Sequence, residues 1–470
     1  MLGFTIVSVF IRSLVFFLNS HIQNIPLQNR LQQYFFCATI LFFLGGSFCL
    51  PVIAEEVTSQ YFEQLRHRHL FSLAEGYCLT QLKKENLSSS QRSQILLELS
   101  RTFTEHANYV RQEEQEELWK RAESVLSDEL QKNPQLSGRL LLDIQIAKIP
   151  AAIANWYRWE YHVAPEDKTS LEKATTFFNQ SISRWQQLQK HFDERLKIAS
   201  RRKKKKETFS SYELRGLLKG VYLQHAITRL DFAALLPFES NARKEQLYEA
   251  ERLLQKTKNG SADNLRTWQS RLQLARAGRL RHRFKAAAVV LRLIEVDKPP
   301  HQILPALTEE KAHLFLTWNK PIDAIRLLSV KRRAGITQTG RLRYLNLQSL
   351  LASAKMAEAR KENKLAAEFR LQVDIFAKRA VFEMGGFWGY RCQKLLHRLK
   401  QNQQYSKEVA HLVRQAQVAL AANQNKKAIN LFKEAIIAAM KNDKKKIATE
   451  LGFRRASLQL QSKENEEAAI

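Results

Sequence analysis

Alanines recur twelve residues apart, most pairs straddling a short polar turn between two helix-forming segments. Ala416 and Ala428 flank Asn423-Gln424-Asn425, and Ala312 with Ala324, Ala275 with Ala287, and Ala456 with Ala468 repeat the spacing. A small side chain on each of two antiparallel helices lets the backbones approach, and a larger apolar residue a turn away fills the groove between them. Phe432 after Ala428 and Leu328 after Ala324 hold such places. The pattern calls for helical hairpins. A hairpin cannot bury its apolar face alone, so hairpins must stack.

The rest of the chain agrees with an all-α class. Only 15 glycines and 10 prolines occur in 470 residues, no stretch alternates with period two, and the long segments are rich in good helix formers. Pro134, Pro165, Pro237, Pro299, Pro300, Pro305 and Pro321 fall where periodic segments start or stop, as helix-breaking chemistry requires. Pro150 instead sits inside the apolar run Leu140 to Tyr161 and is expected to kink or split that helix.

The twelve-residue pairing resembles the tetratricopeptide repeat, in which a small residue of the first helix precedes another in the second by that interval. Ala275, Ala287 and Leu291 are followed by Pro299 at the closing position where the family favours proline, and Ala122, Leu126 and Pro134 match the second-helix half upstream. The large aromatic early in the family's first helix is replaced by Leu412 and Arg271, and the interval between units drifts from the regular 34 residues. The resemblance implies an α-solenoid of TPR-like hairpins whose concave face binds a protein or peptide. On its register Arg276 and Arg279 face that groove, with His313 and Gln417 at the place of Arg276 in later units.

Upstream, helices are expected at Ser90–Ala107, Gln115–Lys132, Arg139–Tyr161 and Leu171–Ile198, after a first pair containing Ala74. The run Arg201-Arg202-Lys203-Lys204-Lys205-Lys206 breaks the periodicity, because six like charges repel. The expected organisation is a signal or anchor at 1–54, an irregular helical region at 55–198, a basic linker at 199–208 and a TPR-like region at 209–470.

Between Leu31 and Ala54 no residue is charged. Arg30 precedes the apolar run and Val52-Ile53-Ala54 then Glu55-Glu56 follow, the layout of an export signal cut after Ala54. Uncleaved, the run is long enough to span a bilayer. Both alternatives predict export to the periplasm, cell envelope or exterior, with membrane contact only through that segment. A second apolar stretch at Leu2 to Leu18 points to a downstream start site or to a two-helix hairpin.

The sequence holds no phosphate-binding glycine loop, nucleophile elbow, dinucleotide fingerprint, H-E-x-x-H or C-x-x-C motif, so no catalytic residue, cofactor, metal or small-molecule substrate is expected. Cys78 and Cys392 are expected as separate buried thiols. The net charge of +29 adds an anionic polymer, nucleic acid or an acidic wall or membrane component, as an alternative partner. The candidate partner-binding residues are Arg276, Arg279 and His313, with two aromatic patches: Trp156 and Trp159 within Trp156-Tyr157-Arg158-Trp159-Glu160-Tyr161, and Phe387 and Trp388 within Gly385-Gly386-Phe387-Trp388-Gly389-Tyr390. The three glycines of the second patch predict a turn with positive φ.

Overall fold

The computed structural model describes residues 50–110, 112–201, 209–259, 264–336, 339–383 and 385–467. The chain divides into two compact units, Met1–Leu70 and Phe71–Ile470. The described part of the first is helix α1 (Leu50–His67) with its C-terminal turn. The apolar run expected to direct export lies almost wholly outside the described residues. Among those described, no helix is long and apolar enough to cross a membrane.

The second unit is all helical among its described residues. The first five helices are α2 (Phe71–Leu82), α3 (Ser89–His106), α4 (Gln112–Lys132), α5 (Arg139–Val163) and α6 (Lys168–Arg201). Then come α7 (Ser211–Ala233), α8 (Asn241–Gln255), α9 (Leu265–Leu280), α10 (Phe284–Val296), α11 (Leu304–Thr317) and α12 (Pro321–Arg333). Last are α13 (Gly340–Ala359), α14 (Asn363–Glu383), α15 (Gly385–Gln404), α16 (Lys407–Ala421), α17 (Asn425–Lys441) and α18 (Lys445–Glu467). Most helices pack on their chain neighbours, which is the TPR-like hairpin array that the alanine spacing implied.

Helix starts are set by side-chain caps. Ser88 and Ser210 form capping boxes with Gln91 and Glu213, while Ser240, Asn264, Thr339 and Ser406 accept from backbone N–H groups of the first turn. Helix ends share one turn. His282, Asn319, Lys361, Asn423 and Asp443 each take positive φ, and the next residue donates its N–H to a carbonyl five residues back, as in Arg283 to Gly278 and Gln424 to Ala419. This left-handed C-cap with its long-range bond is the Schellman motif. His69 repeats it at the end of α1.

The alanine pairs mark the crossings. Ala275 with Ala287, Ala312 with Ala324, and Ala416 with Ala428 are all buried, as are Ala122 and Leu126. A Cβ added at Gly278 would stand 3.5 Å from that of Ala287, so α9 and α10 approach closely there. The fourth pair fails: α18 runs straight through to Glu467, Ala456 is exposed, and Ala468 lies outside the described residues. The polar run at residues 461–467 between those two alanines continues the helix and makes no turn.

Two other expectations are corrected. Pro150 does not split its helix, and α5 is continuous through it. A proline at this place deprives the carbonyl four residues earlier of its donor, and Arg184 of α6 supplies a substitute, Nη1 donating to Ile146 O at 3.0 Å. Gly385-Gly386-Phe387-Trp388-Gly389-Tyr390 forms no turn; it is the first part of α15, and the positive-φ glycines among the described residues are Gly138 and Gly335.

Most of the basic run, residues 202–208, lies outside the described residues. On its two sides α6 and α7 pack together through Trp185, Leu188 and Phe192 against Leu214, Leu218 and Val221. The helical regions before and after the run thus share one core cluster. Cys78 and Cys392 are both buried thiols, and burial pushes Cys392 up to about 12.

Candidate functional site

A network of the protein's own charges links α5, α7, α9, α11 and α13. Asp231 of α7 accepts from Arg276 of α9 and from Asn155 Nδ2 of α5 at 3.0 Å, with Arg158 of α5 at 3.3 Å. Arg279 grips Glu310 of α11 with two bonds, 2.6 and 3.1 Å long. Arg341 of α13 stands 2.7 Å from Glu309. Arg158, Asp231, Arg276, Arg279 and Glu310 are each under a tenth exposed. Burial alone would raise the Asp231 carboxyl, but Arg276 and Arg158 hold it well below the usual carboxylate range. Burial likewise pushes Arg158 down to about 10, with Asp231 acting against that shift.

Arg276 and Arg279 therefore offer no open donor fork to a groove. The neighbouring helices α7 and α11 bring Asp231 and Glu310 to meet them. A charge this deeply buried is retained only when paired. His313 stands 4.0 Å from Glu309, beyond hydrogen-bond reach. Burial, with the Arg279, Arg341 and Arg276 guanidiniums nearby, holds it neutral.

The two aromatic patches, far apart in the sequence, meet. Trp159 of α5 and Trp388 of α15 contact edge to face with centroids 5.0 Å apart, and Tyr344 of α13 joins them at 5.9 and 5.4 Å. Arg391 lies over Phe387 at 3.6 Å and over Trp156 at 5.5 Å. α15 thus returns to α5 and closes the array on itself.

Cations secure this seam. Arg391, Lys394 and Arg398 recur on one face of α15. Arg391 and Lys394 reach Glu160 at 2.9 and 2.8 Å, and Arg398 donates to Val163 O at 2.9 Å and to Glu166 at 3.1 Å. Arg414 of α16 adds a 2.6 Å bond to Glu166. Val163 is the last residue of α5, so Arg398 also meets the negative end of that helix. None of these cations was a candidate from sequence, although Arg391, Lys394 and Arg398 carry a legible signal in their i, i+3, i+7 spacing.

Two clefts flank the seam and share Glu166, Arg398 and Arg414. One, of about 760 Å³, is lined by Trp156, Phe387, Tyr390 and Lys173 among others; the second, of about 1410 Å³, by Lys168, Lys355, Leu351 and Val373 among others. Together they carry eight Lys and Arg side chains against five carboxylates. Of the four aromatic candidates, Trp159 belongs to the core cluster and Phe387 and Trp388, partly buried, pack against it, while Trp156 and Phe387 line the smaller cleft. Among the described residues no group of three or more His, Cys, Asp or Glu could hold a metal.

No protein-family model matches the chain, and no curated protein does. Among solved structures, yeast Tom70 is similar at 13% identity and a TM-score of 0.32, covering 90% of this chain and 77% of that one. The APC/C hetero-tetramer Cut9-Hcn1 is similar at 10% identity and a TM-score of 0.20, covering 87% of this chain and 90% of that one. Both likenesses are distant, and the TPR-like architecture rests on this chain's own hairpins, caps and buried alanines.

Proposed function

We propose that the protein is a non-enzymatic scaffold, exported to the cell envelope, that binds an acidic protein or peptide segment in the clefts beside the α5–α15 seam. The carrying observation is the contrast between two sets of cations. The cations around Asp231 and Glu310 are buried in internal pairs, whereas the clefts, whose Arg391, Lys394, Arg398 and Arg414 are likewise paired with Glu160 and Glu166, leave Lys168 and Lys355 exposed and present Trp156, Phe387 and the half-exposed Tyr390. Aromatic anchors among cations suit an extended acidic ligand.

A photo-crosslinking residue at Tyr390 tests this, with one at Tyr212, 87% exposed and outside these clefts, as control. Crosslinking of one protein from envelope extracts at Tyr390 alone, competed by an acidic peptide from it, is the expected result. Equal yield at both positions would sink the reading. The net charge of +29 favours a second reading, an anionic polymer spread over the surface; its binding would collapse with added salt and depend little on Tyr390. Export rests on Arg30, the apolar run and Val52-Ile53-Ala54. Natural protein whose N-terminus begins near Glu55 would bear it out, and an intact Met1 on chain protected from external protease would overturn it.

A further inference from the structure

Helix α10 turns an apolar stripe to solvent. Ala287, Leu291 and Ile294 on its inner side are buried, but Val289, Leu293 and Val296 are 57%, 56% and 65% exposed. At spacings of four and three these lie on one outward face. Lys285 and Arg292, also exposed, flank the stripe on one side. The acidic groups nearby are neutralised within the protein. Glu295 is held by Lys311 at 2.6 Å and Lys331 at 2.8 Å, and Asp297 by Arg271 at 2.9 Å. The neighbouring α12, tied to α10 through Glu295 and Lys331, repeats the mixture with exposed Ile322, Arg326, Val330 and Arg333.

We infer that the outer face of α10 and α12 is a peripheral contact for an anionic phospholipid surface. Charge complementarity selects this occupant: apolar side chains flanked by Lys and Arg, with adjacent carboxylates already paired, match acyl boundary and anionic headgroups together. A stable protein interface buries about 800 Å² on each partner and depletes lysine at its centre. A few aliphatic side chains spread among cations fall short of that, whereas a lipid surface adds the attraction of every nearby cation to a shallow apolar insertion. The contact shares no residue with the seam clefts or with the N-terminal apolar run.

The test is co-sedimentation of the full chain with vesicles of phosphatidylglycerol mixed with phosphatidylcholine, and with phosphatidylcholine alone. The wild type is expected to partition at least tenfold better onto the anionic vesicles and to lose that preference in high salt. The triple variant Val289→Ser, Leu293→Ser, Val296→Ser should lose at least tenfold on anionic vesicles, as should Lys285→Glu with Arg292→Glu. A charge-matched control, Lys445→Glu with Lys446→Glu on exposed α18 positions, should change by less than twofold. Circular-dichroism melting checks that each variant folds, and the charge pair keeps the test decisive if the serine variant does not. Undiminished binding in both variants would overturn the inference, as would equal binding to both vesicle types, which would assign lipid contact to the N-terminal run. A crosslinker at Val289 that captured a protein in place of lipid would overturn it too.

Discussion

Trp388 packs directly on Gly340. A Cβ at Gly340 would lie 2.9 Å from Trp388 Cγ and 3.2 Å from its Cβ, so the indole occupies the space a side chain would need at the start of α13. The clash involves the root of the indole as well as its ring, so side-chain rotation cannot relieve it and α15 would have to move. Gly340→Ala is therefore expected to destabilise by about 1–3 kcal/mol and to loosen the seam. Urea denaturation gives the first quantity, and hydrogen exchange across α15 the second. An unchanged midpoint with full protection would show that α15 does not depend on this contact.

Asp231 is the shared anion of Arg158 and Arg276. Asp231→Asn leaves two buried guanidiniums without their carboxylate, and removing one partner of a buried pair typically costs about 3–5 kcal/mol. Because the Asp231 carboxyl is held below its ordinary range, its contribution is present above the unfolded carboxylate range, near pH 4, and fades as pH falls below it. The variant should be less stable at pH 7, and the difference from wild type should shrink in acid. A loss below about 1 kcal/mol at pH 7, taken from denaturant midpoints, would show that the network tolerates the missing charge.

His225 sets a second acid limb. Its Nε2 accepts from Arg229 Nε at 2.8 Å, and its Nδ1 lies 2.7 Å from Gln189 Nε2. A proton on Nε2 would face the guanidinium. Burial, aided by Arg229 and Arg252, pushes the ring down to about 3. The folded value lies below the unfolded one near 6.5, so this stabilisation is complete above pH 6.5 and declines toward pH 3, by about 1.4 kcal/mol per pH unit. His225→Gln keeps an acceptor for Arg229 without the titration. Its stability should fall less between pH 6.5 and 4.5 than that of wild type, and parallel curves would refute the assignment.

Arg184 stands in for the helical N–H that Pro150 lacks. Arg184→Ala should cost about 1–3 kcal/mol by stranding the Ile146 carbonyl, with a further contribution from the ion pair to Glu123. Pro150→Ala restores the helical donor, so the loss from Arg184→Ala should be smaller in that background. A double-mutant cycle measures the coupling, and additivity would mean that the carbonyl bond contributes nothing.

Ala324→Leu or Ala428→Leu should overpack a helix crossing, at about 1–3 kcal/mol each, since both alanines are fully buried. Ala456→Leu, on the exposed face of α18, should leave the melting curve where it is. Matching losses at all three positions would show that residue volume, rather than the crossing, decides.

The hairpins were legible in the sequence because their determinants are local. Alanine at twelve-residue spacing and a polar turn between the two helices each act within a few residues, and Ala416, Ala428 and Asn423 could be placed without knowing the fold. What the hairpins do to one another was not legible. Arg276 and Arg279 have the register of groove-facing donors, yet Asp231 and Glu310 arrive from helices whose approach depends on every intervening angle. The glycines before Phe387 suggested a turn, but they begin a helix, and Gly386 lies against Tyr109. Trp156 and Trp159 could equally have been core or surface until α15 closed on α5, burying Trp159 and leaving Trp156 at a cleft. Local sequence marked the crossings at Ala275, Ala287, Ala312, Ala324, Ala416 and Ala428. Tertiary structure decided which charges are paired inside the array and which stay exposed, because pairing across the array is set by the summed geometry of many crossings and is written in no single one of them.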